Sequence, residues 1–434
     1  MTLLIKNGHV KDPCSKLDKK LDILIKNNKI AEIKEKIEGE DHQIVDASGM
    51  FITPGLIDMH VHLRDPGQEH KETIETGSKA AAAGGFTSIA CMPNTFPVND
   101  NSGVTKYIIS KAKKSASVNI FPIAALSMGQ KGELLTEMAD LIDSGAIAFS
   151  DDGMPVSNSQ LMRRGLEYAK RGGTLIIDHC EDLDLSSNGV MNEGHYSYLL
   201  GLQGIPDYSE DVMVARNIIL AEKINAPIHL AHISTQGSVE LIKSAKNKGI
   251  PITSEVTPHH LFLDDSLLTS YSTDLKVNPP IRTKQDNQSL IKAVKQGIID
   301  VFATDHAPHS PDEKGVEFNE APFGINGLET AVSLILDNLV NKKIISLNRL
   351  VEMFSCNPAK ILGLDSKGKI KIGADADLTI IDTEKKITVD VKKFQSKSRN
   401  NPFNNWKLKG APVMTIVSGK VVYSSLKKPF SPKK

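Results

Sequence analysis

The chain is poor in the features that mark most special classes of protein. It has only four cysteines in 434 residues, Cys14, Cys91, Cys180 and Cys356, none in CxxC spacing. That scatter argues against a disulfide framework and against a cysteine-type zinc site. Cys180, inside an apolar run, reads as a small buried residue. Neither charge is in excess: Lys plus Arg and Asp plus Glu both number 52, for a formal net charge of zero. Nothing here recommends a nucleic acid or a membrane surface as partner. No apolar run approaches the roughly 20 residues needed to span a bilayer, and the opening MTLLIKNGHVKDP lacks the basic-then-apolar pattern of a signal peptide. A soluble, cytoplasmic protein is expected. Short-period repeats and low-complexity linkers are missing too, and the basic tail KKPFSPKK reads as a frayed terminus.

What remains is ordinary globular composition, 40% hydrophobic and 24% charged. The length admits two or three domains, or one large α/β barrel with additions. Residues 1–52 hold short alternating runs (LLIKNGHV, LDILIKNNKIAEI, HQIVDASGMFI) broken by Asn, Gly and Asp, the pattern of antiparallel strands and hairpins. The stretch from 365 repeats it in GKIKIGADADLTIID, KKITV and MTIVSGKVVYS. One small β domain built from 1–52 plus 365–434 is expected. Between them, over 53–364, apolar runs alternate with helical patterns, which implies a parallel sheet. Eight candidate strands fall at 56–62, 86–92, 118–126, 146–151, 174–179, 227–233, 250–256 and 299–305, the number that closes a βα barrel. Helical periodicity follows in KETIETGSKAAAAG, GELLTEMADLIDSG, SQLMRRGLEYAKRGG and SVELIKSAKNKG, and LNRLVEMFSCNPAKILGL leads back to the β domain.

The most informative segment is DMHVHLRDPG, residues 58–67. Alternate side chains on a strand share a face, so His60 and His62 point at one locus, and two neutral imidazoles there suit a divalent metal. An isolated pair of this kind is commonly incidental on a surface strand. The other strand ends change the balance: Arg64 and Asn94, then Asp151 and Asp152 in FSDDG, His179 in HCED, His232 in AHIS, and Asp305, His306 and His309 in ATDHAPH. In a βα barrel all C-terminal strand ends converge on the face that carries active sites. One strand-end Asp can cap a helix and one His can be core, but six N and O donors from five strands match a hydrolytic metal site. His9, His42, His70, His195 and His229 lie outside this set, and His259 and His260 read as support behind it.

These pieces, with PGLIDMHVHLRDPGQEHKET, GGFTSIACMPNT, LGLQGIPDYSED, TSEVTPHHL, KVNPPIR and NPAKILGL, cover nearly the whole chain, and together it resembles a bacterial long-chain dihydroorotase of the amidohydrolase superfamily. The resemblance implies a distorted TIM (β/α)8 barrel with a small β-sandwich from both termini. It implies one or two Zn2+ ions at His60, His62, Asp152, His179, His232 and Asp305, with Asp152 shared and Asp151 the fallback. Relatives such as hydantoinases, allantoinases and shorter dihydroorotases bridge their metals with a carboxylated lysine, and AIAFSDDG offers only aspartates, which favours the long-chain dihydroorotases.

The implied chemistry is reversible hydrolysis between dihydroorotate and N-carbamoyl-L-aspartate in de novo pyrimidine (UMP) biosynthesis. Asp305 would move the proton. Arg64, one alternation beyond His62, can offer a bidentate fork to the substrate carboxylate. The resemblance adds His62, Asn94, Asn278 and His309 as substrate contacts, with backbone at Phe323 and Gly324 reading the ring edge. Two rival readings stay open: another cyclic amidohydrolase, or a non-catalytic subunit that scaffolds aspartate transcarbamoylase. The second is weakened by all six ligand positions being intact. A homodimer and association with aspartate transcarbamoylase are left open. The polar stretch 310–327 has the look of a lid, and truncating 311–319 is expected to leave folding intact and cut turnover.

Overall fold

The computed structural model describes residues 2–38, 42–426 and 430; most of the tail KKPFSPKK lies outside them. Eight parallel strands stand side by side in chain order: Leu56–Val61, Phe86–Cys91, Asn119–Ala124, Ala148–Phe149, Leu175–Asp178, Ile228–Leu230, Ile252–Val256 and Val301–Phe302. Beyond the last strand the ring is closed by a parallel bridge between Val61 and His306, with the His62 amide donating to the His306 carbonyl at 2.8 Å. This is the distorted βα barrel that the eight apolar runs imply.

The strands are shorter than their apolar runs, most of all the fourth and the eighth. The reason lies in the residues just past each ladder, which leave the sheet to aim their side chains. Asp151 turns back so that its carboxylate accepts from the Leu126 and Ser127 amides at 2.8 and 3.0 Å, and Asp305 takes a left-handed φ of 45°. Helices Ile74–Ala83, Ser159–Arg171 and Gln236–Asn247 follow their periodic segments and start on side-chain caps from Thr73, Asn158 and Thr235. The segment GELLTEMADLIDSG is helical only over Met138–Asp143, because Gly132 sits at φ 66° and Thr136 donates its amide to the Leu126 carbonyl instead of to a helix.

Strands from the two ends of the chain interleave. Thr2–Lys6, Asp22–Lys26, Lys29–Lys34 and Gln43–Asp46 make a four-stranded sheet, while His9–Asp12, Leu17–Lys20 and Phe51–Pro54 join Leu378–Thr388, Lys407–Val417 and Lys420–Ser424 in a six-stranded one. Their inward faces share one apolar core in which Ile5, Val10, Ile23 and Ile52 meet Leu378, Ile380, Val413 and Ile416. Phe51–Pro54 pairs with 378–381 and passes through Gly55 straight into the first barrel strand. A Cβ on Gly55 would lie 2.1 Å from Thr87 Oγ1, so only glycine allows the close approach there. The strand carrying His60 and His62 is thereby anchored in both sheet systems. Among the described residues no helix is long and apolar enough to cross a membrane.

Candidate active site

All six residues read as ligands meet at the C-terminal mouth of the barrel. His60 Nδ1–H donates to Glu255 Oε1 at 2.7 Å, which turns Nε2 toward Asp152 Oδ1 at 3.2 Å and Asp305 Oδ1 at 3.5 Å. His62 Nδ1–H donates to Asn94 Oδ1 at 2.8 Å and sets Nε2 3.1 Å from Asp305 Oδ1 and 3.3 Å from Asp152 Oδ2. His179 Nε2–H donates to Glu181 Oε2 at 2.9 Å, leaving Nδ1 2.9 Å from His232 Nε2. Asp152 faces all four imidazoles, since His232 Nε2 and His179 Nδ1 lie 3.5 and 3.8 Å from its Oδ1. Asp151, the fallback, instead holds the Leu126 and Ser127 amides and the Ser127 hydroxyl.

The donor set fits a divalent cation. His60 Nε2 and Asp152 Oδ1 are buried without a hydrogen-bond partner, although buried polar atoms nearly always have one. Two clusters, His60–His62–Asp305 and His60–Asp152–His232, each bring three ligand atoms within 4.8 Å of one another. Imidazole and carboxylate in this mixture suit zinc-like ions, and the outer ring nitrogens fixed on Glu255, Asn94 and Glu181 supply the tautomer control that such ligands need.

The electrostatics are those of mutual compensation. Burial alone would lower the His60 pKa, but Asp152, Glu255 and Asp305 outweigh it and push it well above the usual value. Burial would raise Asp305, yet His60 and His62 hold it down to about 2. The imidazoles likewise keep Asp152 well below the usual carboxylate range. A cation entering this cluster would take over the role of those protons and release them.

Three site residues other than glycine adopt left-handed backbone: Arg64 at φ 61°, His232 at φ 29° and Asp305 at φ 45°. Such conformations cost of order 1–3 kcal/mol each and persist where the surroundings over-determine them, as at functional sites. Here they re-aim side chains that regular strand continuation would point elsewhere.

A cavity of about 320 Å³ opens above the cluster, lined by His62, Asp152, His179, His232 and Asp305 on its floor, with Arg64, Asn94, Asn278, His309, Phe323 and Gly324 on its walls. Arg64 is only 8% exposed. Its Nε donates to the Pro308 carbonyl at 3.3 Å and its Nη2 lies 3.4 Å from His309 Nε2. Burial brings the guanidinium down to about 10, so it stays charged at neutral pH. His309 is held neutral, down to about 3, by burial and by that guanidinium.

Some expected substrate groups are already engaged within the protein. Asn94 holds His62, and Asn278 donates to Glu181 at 2.8 Å. The Gly324 amide donates to the Lys276 carbonyl at 2.9 Å. Glycine is required at 324 for space: at φ 147° an added Cβ would lie 2.6 Å from the Ala307 carbonyl oxygen.

Supporting residues come from places the strand-end pattern does not single out. Glu255, fully buried on the seventh strand, accepts from His60, from His229 Nε2 at 3.2 Å and from the His232 amide at 3.2 Å. A glutamate inside an apolar barrel strand, as in ITSEV, is the signal that could have found it. Asp58 ties the first strand to the eighth by accepting from the Thr304 hydroxyl at 2.6 Å. Asn400, beyond the barrel in sequence, donates to the Ala307 and Gly324 carbonyls at 3.1 and 3.0 Å and accepts from the His309 amide at 3.2 Å. His260, bonded to Thr257 and to the Pro279 carbonyl, and His259, buried and held down to about 4, stand behind the site. Glu255→Gln keeps the shape but removes the charge, and is expected to weaken metal affinity about 10- to 100-fold, read by competition with a chelator.

The stretch 310–327 is packed against its neighbours in this structure, which counts against removing 311–319 without loss of folding. Pro311–Lys314 is a helical turn, the buried Lys314 ammonium donates to the Thr273 and Pro322 carbonyls at 2.9 and 2.8 Å, and Lys276 donates to the Phe318 and Asn319 carbonyls, both at 2.8 Å. Phe318 is 5% exposed in a core cluster with Met191, Leu275 and Val277. Phe318→Ala is therefore expected to cost about 3–5 kcal/mol in urea unfolding; a cost below about 1 kcal/mol would mean that this packing contributes little.

Comparison with known proteins agrees with this geometry. Residues 49–238 match the family described as Dihydro-orotase-like, and residues 292–423 match the Amidohydrolase family. The chain is 54% identical over 424 residues to a Geobacter metallireducens protein named dihydroorotase, covering 98% of this chain and 100% of the relative. It is 51% identical over 420 residues to one of that name from Acetivibrio thermocellus, covering 97% and 98%. Among solved structures it is similar to an L-hydantoinase (dihydropyrimidinase) from Arthrobacter aurescens, with a TM-score of 0.88, 27% identity and coverage of 99% and 98%. A dihydropyrimidinase from Brevibacillus agri follows with a TM-score of 0.86, 25% identity and coverage of 98% and 95%.

Proposed function

The chain belongs to the dihydroorotases, and from that premise we propose that the buried histidine–aspartate cluster holds the catalytic metal and carries reversible hydrolysis of dihydroorotate to N-carbamoyl-L-aspartate. The protein is a hydrolase of a cyclic amide C–N bond in pyrimidine biosynthesis, acting on a small molecule. The observation that carries the substrate reading is Arg64, a charged and nearly buried guanidinium on the wall of the cavity that the cluster floors. A ring without a carboxylate would leave that charge unanswered.

We assign the ligand roles to His60, His62, Asp152, His179, His232 and Asp305, with Asp152 shared, and take zinc, one or two ions per chain, as the working metal. When bound, the cation supplies Lewis acidity at the carbonyl and acidifies water. Arg64 holds the substrate carboxylate, with His309 beside it, and so sets the ring over the cluster. As water attacks the ring carbonyl, Asp305 takes the proton and passes it to the ring nitrogen while the C–N bond breaks. In the other direction Asp305 accepts the proton of the carbamoyl nitrogen as it closes on the side-chain carboxyl, and returns it to the departing water. Glu255, Asn94 and Glu181 keep the ring nitrogens aimed inward throughout.

We further read residues 53–364 as the catalytic unit and 1–52 plus 365–434 as the β unit, with Asn400 reaching from the second to the first, and place the enzyme in the cytoplasm. Removing metal with a chelator is expected to abolish dihydroorotase activity, and zinc to restore it at one or two ions per chain. Full activity in demonstrably metal-free protein would refute the reading.

A further inference from the structure

Two of the scattered cysteines meet. Cys14 lies in the exposed turn after His9–Asp12, and Cys356 is 7% exposed at the end of the π-helical turn Glu352–Cys356, in the helical stretch that returns from the barrel to the terminal sheets. Their sulfurs and a carboxylate oxygen of Asp12 all lie within 4.8 Å of one another. The sequence spacing gives no hint of this, because the two cysteines lie 342 positions apart.

Asp12 makes the cluster unusual. It is fully buried, and its oxygens accept from the Ser15 amide at 3.2 Å and the Ile370 amide at 2.6 Å. Among the described residues no lysine or arginine pairs with it. Buried charges are ordinarily paired or bound to metal, and each oxygen retains a lone pair beyond its one amide. We propose that Cys14, Cys356 and Asp12 form a second metal site, separate from the catalytic cluster, that takes one thiophilic divalent cation such as zinc or cadmium and staples the N-terminal sheet strand to the last barrel helix.

The chemistry is consistent at each ligand. Two thiols bind as thiolates and release two protons to solvent as the cation enters. Tetrahedral Zn–S bonds of ≈ 2.3 Å put two sulfurs about 3.8 Å apart, so a shift of about 1 Å or less completes the site. Cys14, on an exposed turn, can supply that shift and leaves an entry path from solvent and a fourth position for water. The Cys356 thiol donates to the Gly368 carbonyl at 3.6 Å, a bond that metal entry would replace. π-turns of this kind recur at functional sites.

The test uses cadmium alone, added to the full-length protein under phosphine reduction. Thiolate-to-cadmium charge transfer absorbs in the ultraviolet, whereas the catalytic cluster, which has no sulfur ligand, is silent in that band. One cadmium per chain with this absorption is expected, and Cys14→Ser, an exposed change that should fold normally, is expected to lose the band and keep dihydroorotase activity. Absence of the band at saturating cadmium, or a band of full strength in Cys14→Ser, overturns the proposal.

Discussion

Asp305→Asn is expected to lower kcat for dihydroorotate by about 10²–10⁴, in hydrolysis and in cyclisation alike. The side chain sits where both halves of the proton transfer meet: its Oδ1 is 3.1 Å from His62 Nε2, it borders the cavity, and the surrounding imidazoles hold it ionised, down to about 2. Asparagine preserves the volume and one acceptor oxygen but cannot take a proton. Steady-state kcat in both directions, with metal content measured on the same sample, separates proton transfer from simple ligand loss. A variant that keeps its metal and more than about a tenth of wild-type kcat would remove Asp305 from that role.

Arg64→Ala is expected to reduce kcat/KM for dihydroorotate by a factor of about 10² or more, with most of the change in KM. Truncating one partner of a buried charge pair costs about 2–5 kcal/mol, and each 1.4 kcal/mol is about tenfold. Arg64→Lys is expected to rescue little, because a lysine presents no planar fork. Equal kcat/KM in wild type and Arg64→Ala would mean that the carboxylate is held elsewhere.

The barrel was legible because burial imposes a period: eight apolar runs separated by helical patterns admit few other folds. The same logic located His60, His62, His179, His232 and Asp305, since the ends of parallel strands share one face. It could not choose between Asp151 and Asp152. That choice depends on where the chain turns after Phe149, and it was made by the Leu126 and Ser127 amides capturing Asp151. Nor could it see Asn400, whose partners Ala307 and Gly324 are 93 and 76 residues away. The packing of 310–327 was hidden for a related reason. Its polar composition concealed one phenylalanine and one lysine that bury themselves, and composition averages over such residues.

The central claim is that the cluster works on a ring carrying a carboxylate held by Arg64. The most direct test is kcat/KM for dihydroorotate against dihydrouracil, the same ring without the carboxylate, in wild type and in Arg64→Ala. A site whose buried charge is answered by the substrate discriminates strongly. Wild type is therefore expected to prefer dihydroorotate by about 10³ or more, and Arg64→Ala to lose most of that preference. Wild-type protein that hydrolyses dihydrouracil as well as dihydroorotate would contradict the account.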